Sequence, residues 1–165
     1  MSVPFVRRFP VAAFAISALA AAPLTARAQV DLGLPPARPL AESECSTLTG
    51  DLAAICARAA SGDVAALLAL ARAYAVGPTP GGQVQQNQTE ALRLYSLAAA
   101  RGDAAAINVL GEMYSEGRGV ARDEERGARY FRAAAEAGLP DAQVNLAESY
   151  ANGRGVPQSL SLIHI

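Results

Sequence analysis

Leu110-Gly-Glu-Met-Tyr-Ser-Glu-Gly-Arg-Gly-Val120 returns further along the chain as Leu146-Ala-Glu-Ser-Tyr-Ala-Asn-Gly-Arg-Gly-Val156. Leu, Glu, Tyr, Gly, Arg, Gly and Val all recur at a spacing of 36 residues. A period between roughly 20 and 50 residues marks stacked supersecondary units, none of which buries its apolar face alone. The same spacing separates Tyr95 from Phe131, Gly102 from Gly138 and Asn87 from Asp123. Tyr74 and Tyr114, however, are 40 residues apart. The four extra residues therefore fall between Gly77 and Val84, where Pro78, Pro80, Gly81 and Gly82 sit. Insertions in a solenoid go into loops and leave helix registry intact.

This register divides the chain. Leu52, Ile55 and Cys56 lie at helical spacing within residues 51–60, and residues 45–62 read as a degenerate N-terminal half-repeat that caps the stack. Repeat 1 covers 63–102. In its first helix Leu67, Leu70, Ala71 and Tyr74 share one face, and Gly77 follows the end near Val76. Its second helix spans about 88–100, with Asn87 as N-cap and Leu92, Tyr95, Ala98 and Ala99 inward. Repeat 2 covers 103–138, with helices over 104–115 and 124–137 and Asp123 as the matching cap. A partial repeat 3 covers 139–159, its first helix entering at Pro140 and running to about Asn152.

These residues resemble the Sel-one-like repeat family, a relative of the tetratricopeptide repeat. The resemblance rests on Ala106, Leu110, Gly111, Tyr114, Gly117, Gly119 and Val120, then Gly127, Phe131, Ala134, Ala135 and Gly138, and covers residues 63–156. The departures are Gly127 where Ala is expected, Ala147 for the first Gly, and the enlarged first loop. The implied fold is all-α, a right-handed α-solenoid of antiparallel helix pairs. Gly111, Ala147, Ala134 and Ala135 would let helix backbones approach, and Tyr114 and Tyr150 would fill the wedge between neighbours. The implied role is protein–protein assembly. Some exported relatives have been linked to penicillin binding or hydrolysis, but those carry a cysteine pair in each repeat, and here no Cys follows Cys56.

The ends of the chain stand outside the repeats. Arg7 and Arg8 precede an apolar run over 11–22, and Ala26-Arg27-Ala28 supplies a small-x-small cleavage pattern. Residues 1–28 thus read as a signal peptide, too short in its apolar run to span a bilayer, and no membrane association is expected after cleavage. Residues 29–44 contain Pro35, Pro36 and Pro39 with few large apolar side chains, which predicts a flexible, extended leader. Leu160-Ser-Leu-Ile-His-Ile165 resembles the translated end of a transposase adapter, so residues 160–165 are expected to be non-native. A repeat broken off at that point would leave Leu146 and Tyr150 without their second helix, with poor stability or self-association through the open C-terminal end as the consequence.

Chemistry is mostly excluded. All 14 basic residues are Arg, and removing Arg7, Arg8 and Arg27 leaves 11 Arg against 15 Asp and Glu, a net charge of −4. A mildly acidic domain lacks the basic footprint that nucleic acid requires. The single His, His164, lies in the tail, so no Ser–His or Cys–His nucleophile is expected and the protein reads as no enzyme. Neither a metal nor a cofactor is expected, since Cys45 and Cys56 without a neighbouring His form an incomplete ligand set. Export permits a disulfide between them, with two buried thiols as the alternative. Glu112 and Glu148 recur with the period, as a solvated helix face does. Gly117-Arg-Gly119 and Gly153-Arg-Gly155 lack the strand and third Gly of a phosphate loop.

What remains is surface. The stripe of Arg72 and Val76, then Val109, Glu112 and Glu116, then Asn145, Glu148 and Asn152 is the candidate face for a protein or peptide partner. Two functional readings follow: an exported interaction scaffold, or the repeat region of a longer envelope enzyme or cell-wall-binding protein.

Overall fold

The computed structural model describes residues 33–77 and 84–155. After a short 3-10 turn, Glu42–Thr47, come six helices: α1 Asp51–Ala60, α2 Val64–Val76, α3 Gln88–Ala99, α4 Ala104–Glu116, α5 Glu124–Glu136 and α6 Pro140–Asn152. No strand interrupts the described residues. Every extensive contact joins elements consecutive in the chain, the arrangement of an α-solenoid in which each unit packs on its neighbours. Residues 1–32, which hold the expected signal segment, residues 78–83 of the first loop, and residues 156–165, which hold the suspect tail, lie outside the described residues.

Local chemistry explains the helix ends. Asp63, Asn87, Asp103 and Asp123 each accept the N–H of the residue three places on, from Ala66, Glu90, Ala106 and Arg126. Each satisfies a donor that the first helical turn leaves open. Helix α6 has no side-chain cap and enters instead through Pro140, whose missing N–H would be an orphan there anyway. Helices α4 and α6 end at Gly117 and Gly153 in the left-handed region, at φ 75° and 64°. The ends differ from the sequence expectation by one residue at α3, α4 and α5, the usual fraying range.

The loop arithmetic has a structural counterpart. In repeat 2 the Asp123 N–H donates to the Tyr114 carbonyl at 2.8 Å. In repeat 1 the equivalent Asn87 N–H donates to the Tyr74 carbonyl, also at 2.8 Å. The four inserted residues therefore leave the closure of the helix pair unchanged. Gln86 and Gln88 side chains both donate to the Ala75 carbonyl, at 3.0 and 2.7 Å, and so finish the last turn of α2.

The core is built from the inward faces of successive helices. Leu67, Leu70, Ala71, Leu92, Tyr95, Ala98 and Ala99 are buried as the periodicity requires, while Tyr74 is half-buried. Within repeat 2, α4 and α5 meet at Gly111 and Gly127. A Cβ on Gly127 would lie 2.0 Å from the Ser115 hydroxyl, and one on Gly111 would lie 2.6 Å from the Phe131 ring. Gly127, where the family pattern has Ala, is thus matched to Ser115. Tyr114 and Tyr130 stack with ring centroids 5.4 Å apart, within the favourable range for aromatic pairs.

Adjacent repeats are joined through the second glycine of Gly-Arg-Gly. Gly119, at φ 72°, lies against the first residues of α3, so that a Cβ would come within 2.4 Å of the Gln88 carbonyl oxygen. Gly155 repeats the arrangement on α5, where a Cβ would meet the Glu124 carbonyl oxygen at 2.1 Å. Loop and helix backbone touch directly, and no side chain fits between.

Two expectations differ from the structure. Residues 33–44 are seated on the repeats rather than free: Leu40 is 9% exposed, and Arg93 holds the Arg38 carbonyl at 2.6 Å and the Glu44 carboxylate at 2.9 Å. Pro-rich composition removes backbone donors but does not prevent an extended chain from packing when carbonyl partners are supplied. Leu146 is also not left open. It is 5% exposed, because α5 already covers it, and Tyr150 is half-buried with its hydroxyl accepting from Arg132 at 2.6 Å. The large apolar residue exposed on α6 is Val144, at 57%.

Candidate functional site

The stripe proposed for partner binding starts from helix geometry. Residues three and four apart share a helix face, so Arg72 and Val76 line α2, Val109, Glu112 and Glu116 line α4, and Asn145, Glu148 and Asn152 line α6. Arg72, Val76, Glu116, Glu148 and Asn152 are exposed, and Val109, Glu112 and Asn145 are half-buried. Val109 packs against the core with part of its side chain, which makes it as much a wall as a contact.

Hydrogen bonds tie the middle of this stripe together. Asn145 Nδ2 donates to Asn108 Oδ1 at 3.0 Å, and Asn108 Nδ2 donates to Glu112 Oε1 at 3.0 Å. Arg118 Nη2 donates to the other Glu112 oxygen at 3.3 Å, and Arg118 Nε stands 2.7 Å from Glu116. The run crosses from α6 to α4 and on to the loop after α4. On the other side lies Tyr95 of α3, whose hydroxyl is pushed up from its ordinary pKa by burial, against the opposing charges of Arg72 and Arg118. Asn108, Arg118 and Tyr95 thus link Arg72, Glu112, Glu116 and Asn145, whereas Val76, Glu148 and Asn152 enter none of these bonds.

Three of the connecting residues escaped the sequence reading. Asn108 is 6% exposed and sits where α2 has Leu68 and α6 has Val144. A polar residue at an otherwise apolar position of the repeat was the available signal. A buried amide must be hydrogen-bonded on both sides, and Asn108 is. Tyr95 reads as core by periodicity, and Arg118 reads as a turn residue.

The carboxylates of the stripe do not converge. Glu112 is spent on Asn108 and Arg118, and Glu148 lies exposed on a separate helix, so the two do not form a carboxylate pair facing one cleft. Among the described residues no group of three or more His, Cys, Asp or Glu is placed to hold a metal. None of their helices is long and apolar enough to cross a membrane. Cys45 and Cys56 are joined by a disulfide that fastens the 3-10 turn to α1, away from the stripe.

A stack of helix pairs with small-residue crossings, and with Gly-Arg-Gly loops seated on the second helix of the preceding repeat, defines a helical-repeat protein. The Sel1 repeat model matches residues 64–103, 104–139 and 140–162, and the chain belongs to that family. The third match runs into the stretch read as non-native. The crystal structure of a Sel1 repeat protein from Oxalobacter formigenes is similar, with 39% identity and a TM-score of 0.59 over 68% of this chain and 82% of that one. A protective antigen of uropathogenic Escherichia coli strains displaying an SLR fold is similar at 32% identity and a TM-score of 0.62, over 67% of this chain. This chain spans 23% of that antigen. No curated protein matches. Sel1 repeat proteins are generally protein-interaction scaffolds.

Proposed function

We propose that this chain is an exported, non-enzymatic scaffold that holds a protein or peptide partner along the stripe from α2 to α6. The observation that supports the reading is the hydrogen-bonded run Asn145–Asn108–Glu112–Arg118, which fixes polar groups of adjacent repeats in one register. Prealigned donors and acceptors lower the ordering cost of binding an extended backbone. A photo-crosslinking residue placed at Glu112 or Glu148 should trap a discrete partner in the native host, and one at Arg129 should not. Equal trapping at all three positions would remove the assignment of this face.

The proposed compartment is the periplasm of a Gram-negative-type cell, or the medium. Support comes from the signal-like pattern in residues 1–28 and from a disulfide, which persists in oxidising compartments. A reporter active only after export, fused behind residue 28, tests this. The second reading, a repeat region within a longer envelope enzyme or cell-wall-binding protein, draws on the larger size of the Escherichia coli antigen. Reading the genomic locus past the codon for Val156 distinguishes the two. Self-association is proposed through the α6 face carrying Val144, and V144E should shift a sedimentation profile towards monomer.

A further inference from the structure

The proline-rich segment 33–40 is seated in the manner of a ligand. Leu34 and Ala37 are half-buried against the core and Leu40 is buried, Pro35 is half-buried beside them, and Gly33, Pro36, Arg38 and Pro39 are exposed. An inward residue at every third position is the period of a polyproline II helix. Ala41, at φ −87° and ψ 143°, lies in the polyproline II region just before the 3-10 turn. The prolines carry no N–H, so the polar demand of such a segment falls largely on its carbonyls.

Two arginines of the repeats meet that demand. Arg126 of α5 donates to the Gly33 carbonyl, and Arg93 of α3 donates to the Arg38 carbonyl. Both are held in place before any ligand arrives. The Arg126 guanidinium lies over the Tyr114 ring, 4.4 Å from its centroid, and Arg93 is fixed by bonds from Nε to both Glu90 oxygens at 3.1 and 3.0 Å. A carbonyl contact reads backbone and a threefold apolar spacing reads conformation, the combination used to recognise proline-rich segments. The two arginines lie on α3 and α5, whereas the residues of the stripe lie on α2, α4 and α6.

We propose that the groove flanked by Arg93 and Arg126, the latter propped on the buried Tyr114 ring, is a binding site for an extended proline-rich peptide with apolar residues at every third position, and that residues 33–40 occupy it in cis. The disulfide at Cys45 anchors the strap just beyond its C-terminal end. A tether that short gives the strap a high effective concentration, so a partner enters only by displacing it.

The test uses a fluorescent synthetic peptide of residues 33–44 and the full chain, read by anisotropy. In the variant carrying Leu34→Asp and Ala37→Asp the strap is loosened and the groove is untouched, and this variant should bind the peptide about tenfold or more tighter than the unaltered chain. Adding Arg93→Ala and Arg126→Ala to that variant should lose most of the gain. A peptide with Asp at the Leu34 and Leu40 positions should not bind. Equal affinity for the unaltered and strap-loosened chains, or binding indifferent to the two arginines, overturns the proposal. Should the strap variant fail to fold by circular dichroism, the unaltered chain decides. Millimolar peptide should move the Leu34 and Leu40 methyl resonances from their packed positions towards those of a free peptide, and unmoved resonances overturn it.

Discussion

Repeats 1 and 2 build the same helix crossing from different residues. Repeat 1 places Ala71, Ala75 and Ala91 where repeat 2 places Gly111, Ser115 and Gly127. Ala71 and Ala91 are fully buried, so repeat 1 closes on methyl groups. In repeat 2 the Ser115 hydroxymethyl fills the place a methyl on Gly127 would take, 2.0 Å from its Oγ. What the two share is a filled crossing rather than a set of residue types, because close packing responds to volume and position. The surroundings differ too. Repeat 1 abuts a disulfide-pinned cap, and repeat 2 is joined to repeat 1 through the Gly119 backbone.

The largest test of this comparison is Gly119→Ala, which attacks the joint between the repeats. It combines a left-handed backbone with a methyl 2.4 Å from the Gln88 oxygen, so a loss of roughly 3 kcal/mol is expected in denaturant melts. Gly117→Ala shares the positive φ but meets Arg122 Cβ only at 3.2 Å, and should cost about 1 kcal/mol. Equal losses would show that backbone conformation, not the approach to α3, sets the requirement at Gly119.

Replacing Cys45 and Cys56 together by Ala should cost about 2–3 kcal/mol, since the bridge closes a short loop. Hydrogen exchange should then rise in α1 and α2 before α4 and α5. A uniform rise would mean that the cap stabilises both repeats alike.

The crossing itself is tested by Gly127→Ala. Overpacking against Ser115 costs about 1–3 kcal/mol, and the better helix propensity returns up to about 1 kcal/mol. A net loss near 1 kcal/mol is expected, and Ser115→Ala should relieve part of it. Strict additivity in the double-mutant cycle would sever the proposed link between the two positions.

The smallest effect concerns acid. The Arg58 guanidinium donates to Asp63 and, with the Ala66 N–H, holds its carboxyl below the ordinary value. A lowered folded-state pKa gives stability that is present above the unfolded value, about 3.9, and lost as pH falls through the folded one. Asp63→Asn should flatten the acid limb of the melt profile slightly, chiefly in repeat 1. An unchanged acid limb would separate the Arg58 contact from stability.

Helix positions were legible in the sequence because caps and apolar spacing act locally. Asp63, Asn87, Asp103 and Asp123 set four helix starts, and Gly77, Gly117 and Gly153 set three ends. The stripe was legible as a set of faces. The bonds that knit it were not, since Asn108 meets Asn145 across 37 residues and Tyr95 reaches the charges of two neighbouring helices. The strap was misread for a related reason. Composition reports whether a segment can bury itself, whereas residues 33–40 are held by arginines up to 93 residues away.

By itself, then, the sequence determined the repeat, its period, its helix boundaries and the absorption of an insertion in one loop, all consequences of turn chemistry and helical periodicity. Only the tertiary structure decided which face of each repeat is polar and connected, why Gly127 must pair with Ser115, and where the proline-rich segment lies. Those features depend on distances between residues far apart in the chain, and local propensity carries no information about them.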